Sequence, residues 1–313
     1  NLSSDTLTRL PDTMLNNTFS GLNTLTWDET NDILYAADHH NLYKVDMSTG
    51  ISSTTAELVT AEACLPPQDC QLHNIQSIEF DETTNHLIVL EHIENRGVFS
   101  QVELTSGDIE FIYEAGSLAD PYSSFFKFAY NASSQYLYVY DDLYMSAYGV
   151  NKESGDIHYV FNNNEPDSEG PPARRSNDIF VDTYNNRLIV NQLGYFFNQN
   201  EVISVDLATG NRQFVLNGDG DGGLTLHGKT VSAFHPLNAQ LLTTSSFSDQ
   251  VLSVSVDTGE SSVLVEKSAT LPLSGASDMV YHASTGRLFV SDKALEGIIV
   301  IDVNSGERAL LKL

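Results

Sequence analysis

Positive charge is scarce in this chain. Fifteen Lys and Arg stand against 42 Asp and Glu in 313 residues, for a formal net charge of −27. A field of that sign repels phosphate backbones and anionic membranes, so nucleic acid is excluded as an expected partner. Long apolar runs are absent too: none approaches the roughly 18 residues that cross a bilayer, so no membrane span is expected. The first residues, "NLSSDTLTRL", lack the charged-then-apolar pattern of a secretory signal. The two cysteines, Cys64 and Cys70 in "CLPPQDC", have no companions for a structural zinc site. Their spacing predicts a local disulfide, and with it export to an oxidising compartment, with a pair of free thiols in a loop as the alternative. Acidity with abundant Ser, Thr and Asn fits an extracytoplasmic protein, periplasmic, secreted or surface-associated. With 41% hydrophobic residues the chain has ample material for a core.

A repeat organises that material. The stretch "SGLNTLTWDETNDILYAAD" (20–38), aligned on Leu34, has five relatives anchored at Leu87, Leu137, Leu188, Leu241 and Leu288. Each pairs an apolar alternation of period two with an Asp/Asn-rich break. A second alternation follows, with turn glycines at Gly50, Gly107, Gly155, Gly210, Gly259 and Gly306. Period two marks strands and the breaks mark hairpins, so every unit reads as a four-stranded antiparallel meander. Such sheets cannot bury both faces alone, and radial stacking solves this while protecting their edges. The expected fold is all-β, a six-bladed β-propeller in one domain spanning 1–313. Its blades fall near 22–58, 75–113, 125–161, 176–216, 229–265 and 276–313, with 1–21 as an edge or closure segment.

The register sorts the remaining residues. Six positions before the anchors stand Asp28, Asp81, Asn131, Asp182, His235 and His282, expected as turn residues rather than as a site. Trp27 shares its register with Phe80, Tyr130, Val181, Phe234 and Tyr281 and reads as packing between blades. Four positions after the anchors lies a polar set, Asp38, Glu91, Asp141, Gln192, Ser245 and Asp292. It reads first as loop chemistry, with a metal or acid/base site near His39, His40 and His92 left open.

The opening stretch, "RRSNDIFVDTYNNRLIVNQ" and "SDMVYHASTGRLFVSD" together resemble the regucalcin/gluconolactonase family and its looser propeller relatives. That resemblance implies lactone hydrolysis on a divalent metal, held at the central tunnel by a glutamate, an asparagine and an aspartate. Here the glutamate's position holds Asn23, and the equivalent positions around the ring are Gln76, Phe126, Asn177, Thr230 and Ser277. Asn177 matches a family asparagine, but no carboxylate occupies any of the six. A hard divalent cation needs anionic oxygen ligands, so the resemblance carries the blades further than the metal site.

Between 14 and 10 residues before successive anchors come Lys127, Arg174, Arg175 and Lys229, with His227 beside them. Long loops (59–74, 113–124, 162–176 and 217–229) gather on the same side of the expected propeller, where binding usually resides. The sequence therefore points to an anionic ligand or partner: an anionic small molecule, an acidic saccharide or an acidic peptide segment. Asn74 and Asn177, with His73, would add hydrogen bonds. An enzyme on the same face is the alternative, a divergent metal-dependent hydrolase or a lyase on an acidic saccharide. In the lyase His73, Tyr122 or His227 would be the base. Finally, "NGDGDGG" places Asn217, Asp219 and Asp221 at the first three ligand positions of a calcium loop. Its twelfth position is Gly228 rather than a glutamate, so the stretch reads as a partial calcium site or as an acidic linker.

Overall fold

The six anchor leucines, Leu34, Leu87, Leu137, Leu188, Leu241 and Leu288, are all completely buried, each in the second strand of its own four-stranded sheet. The computed structural model describes residues 21–39, 41–47, 51–54, 72, 74–93, 96–114, 127–142, 144–162, 170–194, 200–217, 230–245 and 248–311. Six antiparallel meanders run through them at 24–54, 75–114, 128–162, 176–216, 230–265 and 276–311, numbered here as blades 1 to 6. The fold is the six-bladed β-propeller that the repeat predicts. The chain divides into two compact units. Unit 1, Asn1–Pro121 with Ser277–Leu313, holds blades 1, 2 and 6; unit 2, Tyr122–Ala276, holds blades 3, 4 and 5.

The first hairpin of each blade turns on the residue six before the anchor. Asp28 accepts from the backbone N–H of Thr30 and Asn31, Asp81 from Thr83, Asn131 from Ser133, and Asp182 from Asn185. Short side-chain acceptors can fold back onto their own turn, which is why this position selects them. Blade 5 departs from the rule. His235 makes no capping bond, and Pro236 opens a single 3-10 turn, Pro236–Asn238, in its place. In blade 6, His282 contacts the hydroxyls of Ser284 and Thr285 at 2.9 and 2.8 Å, so both ring nitrogens are occupied within the turn.

In unit 1, Trp27 lies in β1 (Thr24–Asp28) and stacks on Phe289 of blade 6 at 4.6 Å and on His282 at 4.4 Å. The tryptophan is packing between blades, as its register implies. Asp278, also of blade 6, accepts from the backbone N–H of Leu25 at 2.8 Å. On the other side, Thr24 and Thr26 accept from the N–H groups of Ile78 and Phe80 in blade 2.

An outer-strand bulge found at Ile112 of blade 2 in unit 1 recurs through unit 2. In blades 3, 4 and 5 the pairing of the third and fourth strands slips by one residue, at Val160, Val215 and Leu264. Such bulges kink an outer strand and blunt its edge against further pairing. The carbonyls they re-aim meet the next blade. A Cβ on Gly210 would lie 2.3 Å from Val160 O, and one on Gly259 would lie 2.3 Å from Val215 O. Both glycines also sit at φ +74°. Glycine is needed there twice over, for the left-handed turn and for the close approach of a neighbouring backbone.

Candidate functional site

The segment 170–176, "GPPARRS", leads into β13 (Ser176–Asp182) and is bound along its whole length by side chains of blades 3 and 4. Gly170 stands at φ +112°, where an added Cβ would fall 2.1 Å from Arg212 O. Two prolines follow, and their carbonyls accept from Arg212 Nε at 2.8 Å and Gln192 Nε2 at 3.2 Å. Arg174 N–H donates to Gln192 Oε1 at 3.1 Å, and its carbonyl accepts from Tyr140 Oη at 2.5 Å. The Arg175 carbonyl accepts from Leu193 N–H at 2.8 Å. Ser176 then gives both its backbone N–H (2.9 Å) and its hydroxyl (3.1 Å) to Asp142 Oδ1. Burial pushes the Tyr140 hydroxyl far above its usual pKa, which keeps it a donor. A short loop with two prolines and so many fixed partners has little backbone freedom left to lose when something binds.

The charges on this strap are partly matched. Arg174 Nε lies 3.3 Å from Glu201 Oε2, which also accepts from Gln192 Nε2 at 3.0 Å. Lys127 Nζ lies 3.5 Å from Asp178 Oδ1. Arg175 is exposed, and Asp142 is the carboxylate whose charge it feels. Asn177 donates to Asn200 Oδ1 at 3.1 Å and to Thr230 Oγ1 at 3.0 Å, tying the start of blade 4 to blade 5. The structure thus gathers Lys127, Arg174, Arg175 and Asn177 at one end of unit 2. It adds Asp142, Gln192, Glu201 and Asn200, which sequence reading does not assign to a site. Glu201 had one available signal: it is the second residue of the third strand of blade 4, directly opposite Gln192.

Asp142 is the most perturbed carboxyl of this group. Burial raises its pKa to about 6, against the downward pull of the two Ser176 bonds and of Arg175. The unfolded chain would release that proton near the ordinary value of about 4. The folded state therefore binds more protons between about pH 4 and 6, and this group's contribution to stability declines as pH rises through that window. Asp142→Asn, which mimics the protonated side chain, is expected to melt above the parent protein at pH 7, with the difference shrinking toward pH 4. Thermal melts across that range check it, and a difference independent of pH would contradict the assignment.

Other expected site residues are placed elsewhere or lie outside the described residues. Asn74, in unit 1, accepts from Gln76 Nε2 at 2.9 Å through its side chain and donates to the His92 carbonyl at 3.4 Å. Asn217 is exposed just beyond β16 (Arg212–Leu216). His73, Tyr122, His227, Lys229, Asp219, Asp221, Cys64 and Cys70 fall outside the described residues. The polar set after the anchors is largely loop chemistry. Asp38, Asp141 and Asp292 accept from backbone N–H groups of the following turns, Glu91 from Ser100, and Gln192 holds the strap. Among the described residues no group of three or more His, Cys, Asp or Glu side chains is arranged to hold a metal. Asn23, in unit 1, is engaged at both ends of its side-chain amide. Its Oδ1 accepts from Lys293 Nζ at 2.5 Å, and its Nδ2 faces His39 Nδ1 at 2.9 Å.

Similarity to known proteins bears on the fold more than on the ligand. Residues 2–105 match the model of a family described as SdiA-regulated. No curated protein matches the chain in sequence. Among solved structures, a nidogen/laminin complex aligns at TM-score 0.64 with 12% identity, covering 88% of this chain and 91% of that one. An auxiliary nutrient binding protein from Bacteroides thetaiotaomicron VPI-5482 aligns at 0.64 with 11% identity, covering 90% and 68%. A structural genomics protein of unknown function from the same organism aligns at 0.66 with 8% identity, covering 95% and 71%.

Proposed function

We propose that this propeller is an extracytoplasmic binding protein that takes an anionic ligand at the 170–176 strap, without chemistry of its own. The observation that carries the reading is the strap itself. On a chain of net charge −27, two adjacent arginines are fixed by backbone and side-chain hydrogen bonds, and one of them, Arg175, is exposed. Guanidinium groups favour carboxylates, which they meet with paired N–H donors, and here they stand on a fixed backbone. Asn177 is the expected second contact. An acidic saccharide fits this inventory, with the uronate carboxylate at Arg175 and sugar hydroxyls at the amides. That a structural neighbour is named a nutrient binding protein supports a binding role in kind, though not in ligand.

Titration calorimetry with oligogalacturonates tests the reading. Arg175→Ala is expected to weaken binding about tenfold or more, since charge-assisted hydrogen bonds contribute about 1.5–3 kcal/mol. Arg174→Ala should cost less directly, because Glu201 already shares that guanidinium. Unchanged affinity in the double variant would sink the proposal.

The enzyme alternative rests on the Asp142 carboxyl, which burial raises to about 6 beside Arg175, toward the range suited to proton transfer. Turnover of an acidic saccharide that disappears in Asp142→Asn would favour a lyase over a binder. A lactone hydrolase of the regucalcin/gluconolactonase kind is less well served, because the Lys293 ammonium stands against Asn23 where a divalent cation would be needed. Calcium at Asn217, Asp219 and Asp221 is proposed as a loop-stiffening ion. Chelation should then lower the melting temperature by several degrees, and an unmoved transition would count against it.

A further inference from the structure

On the face of blade 4 that meets blade 5, a column of uncharged polar side chains runs into the interior of unit 2. Asn191 lies in β14 (Arg187–Leu193) and is wholly buried; its Nδ2 reaches Thr230 Oγ1 at 3.0 Å and Ser232 Oγ at 2.8 Å. Both hydroxyls belong to β17 (Thr230–His235), the first strand of blade 5. Ser232 passes its own proton to Thr243 Oγ1 at 3.0 Å, and Thr243 donates to the Val231 carbonyl at 3.3 Å. That branch of the column is complete.

The other branch is open. Among the described residues, Asn191 Oδ1 is buried with no hydrogen-bond partner, and so is Ser245 Oγ. Thr230 Oγ1 already accepts from both Asn177 and Asn191, which leaves its own proton to be placed. Ser245 stands directly opposite Thr230 in the β17/β18 ladder, with β18 spanning Gln240–Ser245. Directly opposed residues share a sheet face, with Cβ atoms about 4.5–5.5 Å apart. Thr244, also unpartnered, points to the opposite face by strand alternation and is not part of this group.

We propose that a single buried water bridges Asn191, Thr230 and Ser245. It donates to Asn191 Oδ1, exchanges a hydrogen bond with Ser245 Oγ, and accepts from the Thr230 hydroxyl. Three bonds of that kind are what internal waters usually make, and buried polar groups are rarely left unmet. The conclusion does not depend on how the Asn191 amide is turned. If its oxygen and nitrogen exchange places, the two hydroxyls donate to the oxygen and the nitrogen faces the space. Only a guest that both donates and accepts suits both arrangements, and water is the smallest such guest. The site also has a position that matters. Asn191 adjoins Gln192, so neighbouring residues of one strand hold the arginine strap on one face of the blade and this water on the other.

Water-to-protein NOE spectroscopy on the labelled intact chain tests the assignment. The expected result is a cross-peak of the sign given by long-resident water on the Asn191 side-chain amide. It should persist in Ser245→Ala, which keeps two partners and leaves room. It should vanish in Ser245→Val, whose added methyl group takes the space. A crystal structure showing density bonded to Asn191 and Thr230 would agree. Absence of the cross-peak in the parent protein, its survival in Ser245→Val, or a protein donor seated on Asn191 Oδ1 would overturn the proposal. Should Ser245→Val fail to fold, the parent spectrum and density decide.

Discussion

Gly210→Ala is expected to destabilise the protein by about 3 kcal/mol or more, whereas Gly155→Ala, at the same turn of the preceding blade, should cost only about 1–2 kcal/mol. The two glycines have nearly the same φ, +74° and +72°, and both hairpins are capped by the residue four before the glycine. The left-handed backbone penalty is therefore common to both. They differ in what a Cβ would meet: Val160 O at 2.3 Å for Gly210, and nothing within 4 Å among the described residues of unit 2 for Gly155. The obstacle at Gly210 is a backbone atom inside a paired strand and cannot rotate away as a side chain would. Urea unfolding of the two variants isolates the contact as a difference of differences. Equal losses would mean that blades 3 and 4 part easily, and the joint would then contribute nothing beyond turn geometry.

The second large effect is expected at the chain's only tryptophan. Trp27→Ala should cost about 3–5 kcal/mol, as truncation of a buried aromatic side chain usually does. Trp27 is 8% exposed and stacks on Phe289 with the rings inclined by only 22°. It also covers His282, whose pKa burial holds below the usual imidazole value. Uncovering that ring would let it charge in the fold, so Trp27→Ala should also weaken the loss of stability on acidification below about pH 6.5. Trp27→Phe keeps the stacking and removes an indole N–H that has no partner among the described residues. It should cost less than about 1.5 kcal/mol. Circular dichroism melts of both variants between pH 5 and 8 test the two statements together.

Much of the fold is legible in the sequence because a strand repeats its side-chain direction every second residue. Once Leu34 and its five relatives are aligned, the turns, the buried face and the packing role of Trp27 follow from register alone. Blade 5 shows where that reading weakens: His235 occupies the capping position, but an imidazole followed by Pro236 forms another turn. The basic residues at the start of blade 4 are legible as a cluster, but their partners are not. Glu201 reaches Arg174 across 27 residues of chain because it stands directly opposite Gln192. Asp142 matters because it is buried beside Ser176. Pairings of this kind depend on which strand ends meet, and composition carries no trace of them.

The joint at Gly210 and Gly259 has a direction. Each of blades 3 and 4 offers a displaced carbonyl on its outer strand, and the blade that follows offers a bare Cα to receive it. Donor and receptor halves differ, and blade 4 carries one of each, so the contact is heterologous. A segment copied in frame from the middle of this series would arrive with a plug for its successor and a socket for its predecessor. A duplicated blade therefore brings both halves of this contact with it, which is one physical route by which a chain of such units can grow.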